Sequence, residues 1–264
     1  MDAEALKGFM SWFKWVLMGI LILIVIGLVI ISYFMYKKRK TNVIKFIAVT
    51  GVFGAIAAIL YCVPIFNIKL PFFPSFLSIH LDEIPIFIVG FAYGPLSAIM
   101  VTLVKTLIKL PMTNTACVGE IGDFLFTLVF VLPSIILYEK RRKLSSVFIG
   151  FGVSTFSQII FAMIMNIYLM IPFYSSFYNL PYEALLNICQ KANPAITDLG
   201  WSYALFAVLP MNLMKDVIVL IVTFLVYKAL HKYLRLSWKS EKKVVEEIKE
   251  EPSENSNNLE EIKQ

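Results

Sequence analysis

Runs of apolar residues long enough to cross a bilayer, three of them followed by a cluster of basic residues, constrain this chain more than any single motif. The first runs from about Trp15 to Tyr36 and is followed at once by Lys37-Lys38-Arg39-Lys40. Later runs fall at about Val43 to Phe66, Ile84 to Leu110, Gly119 to Tyr138, Val147 to Ile171 and Trp201 to Leu230. Hydrophobic residues make up 59% of the chain and charged ones only 16%, and mean hydropathy is +0.77. A soluble domain of this length does not carry that balance, so a multi-pass, all-α membrane protein is predicted. The net charge of +6 comes largely from the clusters beside the runs. It reads as an orientation signal and implies no nucleic-acid partner.

Orientation follows from parity. Asp2 and Glu4 precede the first run and the basic block follows it. That order argues against a cleaved signal peptide and puts the N-terminus outside. If Ile84 to Leu110 were one helix, Lys37–Lys40 and Lys140-Arg141-Arg142-Lys143 would face opposite sides of the membrane. A turn at Gly94-Pro95 makes two short segments and brings both clusters, with His231, Lys232 and Arg235, to the cytoplasm. The first of these segments is about half a bilayer long and must be shielded by protein. Three parts are therefore expected: an N-terminal transmembrane anchor over residues 1–41 with a basic cytoplasmic flank, a six-helix core over 42–236, and a disordered, charged cytoplasmic tail over 237–264. Outer loops are expected near Asn67 to Glu83, Pro111 to Val118 and Pro172 to Gly200.

The last run contains a polar step, Pro210-Met211-Asn212-Leu213-Met214-Lys215, whose spacing of three puts Asn212 and Lys215 on one helical face. A lysine within a span costs a few kcal/mol unless it faces a cavity or a partner. The long apolar stretch before His231 leaves it too deep to reach the surface by extending its stem. Glu83, Asp123 and Asn166 fall toward the outer half of three other spans. With Phe72, Phe73, Phe76, Tyr168 and Trp201 they describe an outward-facing pocket for a flat, partly polar molecule. The bland readings are helix caps for Glu83 and Asp123 and an interhelical hydrogen bond for Asn166. The Pro- and Phe-rich stretch KLPFFPSFL is either a stiff lid or an interfacial aromatic belt. Gly51-x-x-x-Ala55 and Gly54-x-x-x-Ala58 lay small residues along one run, which permits close approach of another helix. Cys62, Cys117 and Cys189 have neither paired spacing nor neighbouring histidines, so no metal centre or dithiol pair is expected.

FFPSFLSIHLDEIP, FAYGPLSAIMVTLVK, TNTACVGEIGDFL, MNIYLMIPFY and PMNLMKD occur in that order. Through them the chain from about Val43 to Arg235 resembles the riboflavin-binding S component of energy-coupling factor vitamin transporters. The resemblance implies a six-helix fold that binds riboflavin near the outer face as transported ligand, with no catalytic cofactor. Ligand contacts would fall on Glu83, Asn166, Asn212 and Lys215, with Phe76, Leu77, Gly122 and Asp123 beside them. Gly51, Gly54, Ala55 and Ala58 would dock a membrane coupling subunit that works with two ATP-binding subunits, and the S component would topple in the bilayer to release its vitamin. The chain departs from the family at His80, where an aspartate is usual, at Asp82, where a serine is usual, and at Asp123, which is often asparagine. The added first span and the tail also lie outside the usual core. These changes leave another flat vitamin or a flavin nucleotide open as ligand.

The chemistry fits beside the resemblance. Riboflavin's ring has an edge with an N–H between two carbonyls, which an amide, a carboxylate and an ammonium complement. Its ribityl hydroxyls need further partners, for which Asn166 is the candidate. The chain has no G-x-x-x-x-G-K-[ST] loop, so energy must come from partner subunits. An intramembrane enzyme is poorly supported, since H-E-x-x-H and G-x-S-x-G are lacking and Glu-Glu pairs occur only in the tail. A self-contained secondary transporter would show internal repeats, and none is visible.

Overall fold

The computed structural model describes residues 19, 22–37, 43–74, 76–113, 115–141 and 143–228. Most of the basic cluster at Lys37–Lys40, the residues from 229 through the predicted tail, and much of the predicted N-terminal part lie outside them. Five helices are long and apolar enough to cross a membrane, and two shorter apolar helices accompany them. In chain order these are α1 (Ile22–Lys37), α2 (Val43–Cys62), α3 (Glu83–Tyr93), α4 (Pro95–Lys109), α5 (Val118–Arg141), α6 (Ser145–Phe177) and, after a short α7 (Tyr182–Ala192), α8 (Trp201–Lys228). The described chain up to Thr223 forms one compact unit. Phe224–Lys228 belong to a second.

Gly94 and Pro95 break the long third run where their chemistry requires it. Gly94 sits at φ 95°, a conformation that costs glycine little and other residues much. Pro95 then opens α4, where its missing N–H is no loss. The exposed backbone groups are satisfied locally: Gly94 N–H donates to Gly90 O at 2.8 Å, Ser97 N–H to Gly94 O at 3.2 Å, and the Ser97 hydroxyl to Tyr93 O at 3.3 Å. α3 is too short to face lipid along a full crossing, and eight of its residues, from Glu83 to Phe91, are buried. Phe87 at its centre meets Phe130 of α5 edge-on, with ring centres 5.1 Å apart.

Small residues set the closest helix approach. Gly150 of α6 lies so near Ser134 of α5 that a Cβ there would fall 2.8 Å from the Ser134 Cα. Pro133 lies inside α5 just before this point, and Ser134 N–H donates to Ser154 Oγ across the interface at 3.1 Å. Outward-facing Ile44, Ile47, Val52, Phe148, Phe156 and Ile160 are exposed, the pattern of a lipid-facing surface. α1 packs on the core through Val25, which joins Ile99, Leu128, Leu132 and Phe161 in one buried cluster.

Two expectations change. The four small residues of α2 do not share one free surface. Gly54 and Ala58 are buried, and a Cβ on Gly54 would lie 2.6 Å from Val104 Cγ1 of α4. Only Gly51 and Ala55 are exposed. The stretch from Pro172 to Gly200 is not mainly loop either: α6 runs through Pro172 to Phe177, and α7 follows with Leu185 and Cys189 buried among residues of α6 and α8.

Candidate functional site

α6 and α8 each contain a π turn, Asn166–Met170 and Ala204–Val208. A proline follows two residues after each, Pro172 and Pro210. Proline lacks an N–H and clashes with the carbonyl four residues back, and a widened turn relieves both demands. The Phe206 carbonyl that Pro210 cannot bond accepts instead from Asn193 Nδ2 at 3.1 Å. Asn166 opens the first π turn, and Asn212 lies one helical turn beyond the second.

Both asparagines line a cavity of about 280 Å³, near the lower end of the range for small-molecule sites, ~300–1,000 Å³. Glu83, Asp123 and Lys215 line it too, beside Phe76 and Leu77 of the loop before α3. Lys215 Nζ donates to Glu83 Oε1 at 2.5 Å, lies 3.6 Å from Asp216 Oδ1 and sits 5.0 Å from the centre of the Phe130 ring. Asn212 Oδ1 accepts from Gln158 Nε2 at 2.9 Å, while its Nδ2 donates to Val208 O at 2.8 Å. Asn166 Nδ2 donates to Ala162 O at 2.9 Å, and its Oδ1 accepts from Tyr203 OH at 3.3 Å. Glu83 Oε2 and Gln158 Oε1 are buried without a hydrogen-bond partner among the described residues.

A second lysine stands behind this wall. Lys105 of α4 is fully buried, pairs with Asp82, and donates to Asp123 Oδ2 at 2.9 Å and to Thr127 Oγ1 at 3.1 Å. Its ammonium is 4.7 Å from the centre of the Tyr61 ring. The aspartate that stands where the resembled family has a serine is thus matched by a cation. Asp82 and Glu83 are consecutive, so adjacent backbone positions serve two different lysines. His80, before them in the loop, contacts Asn67 Oδ1 through Nδ1 at 2.7 Å and Ser78 Oγ through Nε2 at 3.0 Å. Burial is the largest influence on this imidazole and holds its pKa below the ordinary value.

The family model for the ECF transporter substrate-specific component matches residues 45–227. The chain belongs to this family. It is a multi-pass membrane protein and the substrate-binding subunit of an energy-coupling factor importer. Among its relatives, riboflavin transporter RibU of Staphylococcus aureus (strain TCH60) is 25% identical over 180 residues, covering 68% of this chain and 88% of the relative. Riboflavin transporter FmnP of Bacillus subtilis (strain 168) is 24% identical over 188 residues, covering 70% and 90%. A solved S component of a bacterial ECF transporter superposes with a TM-score of 0.56 at 23% identity, covering 73% of this chain and 99% of that one. That last likeness carries the fold alone.

For this S component, spacing brought Asn212 and Lys215 to one face, and both line the cavity with Glu83, Asn166 and Asp123. The aromatic wall is different from the one expected. Phe76 lines the cavity with Tyr61, Phe126 and Tyr174. Trp201 and Phe72 are 56% and 72% exposed, Phe73 packs on an adjacent core cluster, and Tyr168 is half-buried off the lining. Gly122 stands one layer back, where a Cβ would run into the terminal methyl of the lining residue Met170. Lys105, Gln158 and Glu120 were missed. Lys105 and Gln158 carry the signal that singled out Lys215, a polar side chain deep in an apolar run.

Proposed function

We propose that this S component captures riboflavin from the exterior and releases it inward through an ATP-driven coupling module. The observation that carries the reading is the convergence of Glu83, Asn212 and Lys215, from α3 and α8, on one cavity with aromatic residues on its wall. The ring's pyrimidine edge presents acceptor, donor, acceptor. Asn212 Nδ2 has a second hydrogen beyond the one given to Val208, Glu83 has an oxygen without a partner, and the Lys215 ammonium has hydrogens beyond the one given to Glu83. Together they offer donor, acceptor, donor. Phe76, Phe126, Tyr61 and Tyr174 supply apolar faces for the flat ring. The vitamin is held by hydrogen bonds and stacking and leaves chemically unchanged.

The names of the two relatives support riboflavin as the substrate. The family, the substrate-specific component of ECF transporters, supports association with further transporter subunits, which we infer to be a membrane coupling subunit and two ATP-binding subunits. On α2 the exposed Gly51 and Ala55 are the positions we assign to docking. The cytoplasmic side is assigned to the ends of α1 and α5, which carry Lys37, Lys140 and Arg141. That assignment puts the N-terminus outside, the C-terminus inside and the cavity toward the exterior.

Titration of the purified chain with riboflavin, followed by quenching of flavin fluorescence, tests the ligand. Dissociation constants in the micromolar range or tighter are expected. No binding up to that range, with tight binding of another vitamin in the same panel, would overturn riboflavin as the substrate. Uptake by cells that express this chain without a coupling module would overturn the ATP-driven mechanism.

A further inference from the structure

The polar lining has a second tier that the ring edge does not use. α4 ends and α5 begins on either side of the loop from Leu110 to Cys117. Lys105 and Asp123 face each other across these helices. One turn farther toward the loop on each helix stand Lys109 and Glu120, displaced by about 6 and 4.5 Å at 1.5 Å per residue. Both line the same cavity. The Lys109 ammonium is 5.4 Å from the centre of the Tyr61 ring that also meets Lys105.

Glu120 is held ready to accept. Its Oε2 receives the hydroxyls of Thr113 at 2.7 Å and Thr115 at 2.9 Å. Those hydroxyls are themselves fixed, because Thr113 Oγ1 accepts the backbone N–H groups of Thr115 and Cys117, each at 3.1 Å, and Thr115 Oγ1 accepts that of Gly119 at 3.1 Å. A Cβ at residue 119 would crowd Thr115 Oγ1 at 2.7 Å, so the glycine keeps this clasp closed. Oε1 takes no part in these bonds. No cation among the described residues pairs with Glu120, and no carboxylate among them pairs with Lys109. A buried carboxylate and a lysine that line one cavity without pairing are suited to a neutral chain of hydroxyls, each of which both donates and accepts. Asn166, whose oxygen and one amide hydrogen already have partners within the chain, keeps a single amide hydrogen to offer.

We propose that Glu120, held by Thr113 and Thr115, and Lys109 form the subsite for the polyol tail of the ligand. This rests on the riboflavin reading above. Glu120 Oε1 accepts from a tail hydroxyl, and Lys109 donates to another.

The test compares riboflavin with lumiflavin, which keeps the ring system and carries a methyl in place of the ribityl chain. Dissociation constants are measured for the native chain, Glu120→Gln and Lys109→Gln. The glutamine at 120 keeps one oxygen to receive both threonine hydroxyls, so the clasp survives while the charged acceptor is lost. Each variant is expected to weaken riboflavin about tenfold, the difference between a charge-assisted and an ordinary hydrogen bond, and to leave lumiflavin within about twofold. Parallel loss of both ligands, or an unchanged ratio, overturns the subsite. If Glu120→Gln does not fold, the ratio in Lys109→Gln decides alone. A native chain that binds riboflavin no better than lumiflavin also overturns the subsite while leaving the ring site intact. A native chain that binds neither flavin overturns both readings.

Discussion

Replacing Lys215 by methionine separates the role of this side chain in binding from its role in holding the fold. Its ammonium pairs with Glu83 at 2.5 Å and lies 3.6 Å from Asp216, and both carboxyl groups are buried, at 2% and 0% exposure. Methionine fills the same length and removes the charge, leaving two buried acids without a counter-ion. Breaking a buried pair from one side costs about 3–5 kcal/mol, which lowers the thermal midpoint by on the order of 10 °C. The loss for the ligand is a hydrogen bond from a charged donor, about 1.5–3 kcal/mol, or roughly tenfold to 150-fold in dissociation constant. Adding Glu83→Asn would alter shape, so the partner change is Glu83→Gln. The double variant Lys215→Met/Glu83→Gln removes one uncompensated charge and is expected to regain part of the lost thermal stability. Riboflavin affinity should stay low in it, because two of the three groups that face the ring edge are gone. Fluorescence titration gives the affinity, and unfolding in detergent without ligand gives the stability. A double variant that binds riboflavin as the native chain does would remove Lys215 and Glu83 from the site.

Asn212→Ala is expected to weaken riboflavin at least tenfold, about 1.4 kcal/mol, and equal affinity in a titration against the native chain would refute its role. Lys105→Met should lower the thermal midpoint because it leaves Asp82 and Asp123 unpaired, and Lys105→Met/Asp82→Asn should recover part of that loss in the same unfolding assay. Gly54→Leu should destabilise the chain through collision with Val104, whereas Gly51→Leu, with open space around it, should unfold like the native chain yet recover less coupling subunit in co-purification. For His80 the folded pKa lies below the unfolded value near 6.5, so the unfolded chain binds more protons in mild acid. Stability from this group is therefore present above that value and is lost as pH falls from it through the lower folded pKa. The fall in thermal midpoint between neutral pH and mild acid should be shallower in His80→Asn than in the native chain, and equal slopes would refute the assignment.

What could be read from the sequence is what depends on local chemistry. The break at Gly94-Pro95 was legible because glycine and proline act on their own backbone, and the shared face of Asn212 and Lys215 was legible because they stand three positions apart in ordinary helix. α7 was legible in principle: Leu185 and Cys189 are spaced by four between polar Glu183, Asn187 and Gln190, the pattern of a helix with one buried face. The division of α2's small residues was not, since Gly51 and Gly54 look alike until α4 lies against one of them.

The asparagines show why the rest was hidden. Hydrophobic periodicity assumes 3.6 residues per turn, and a π turn adds a residue and rotates everything beyond it relative to what lies before. The apolar run ends at Ile171, just before Pro172, and a proline normally stops a helix. Here the widened turn from Asn166 to Met170 absorbs the proline, the helix continues to Phe177, and Tyr168 falls off the cavity while Tyr174, a further turn along, joins its wall. The same device precedes Pro210 and fixes the frame in which Asn212 and Lys215 follow. Both prolines therefore act on the site at a distance of several residues. Replacing either by alanine removes the demand for a wide turn, so Pro210→Ala should rotate α8 beyond it and weaken riboflavin more than it alters thermal stability. A variant with native affinity would show that the π turn is set by helix packing and not by the proline.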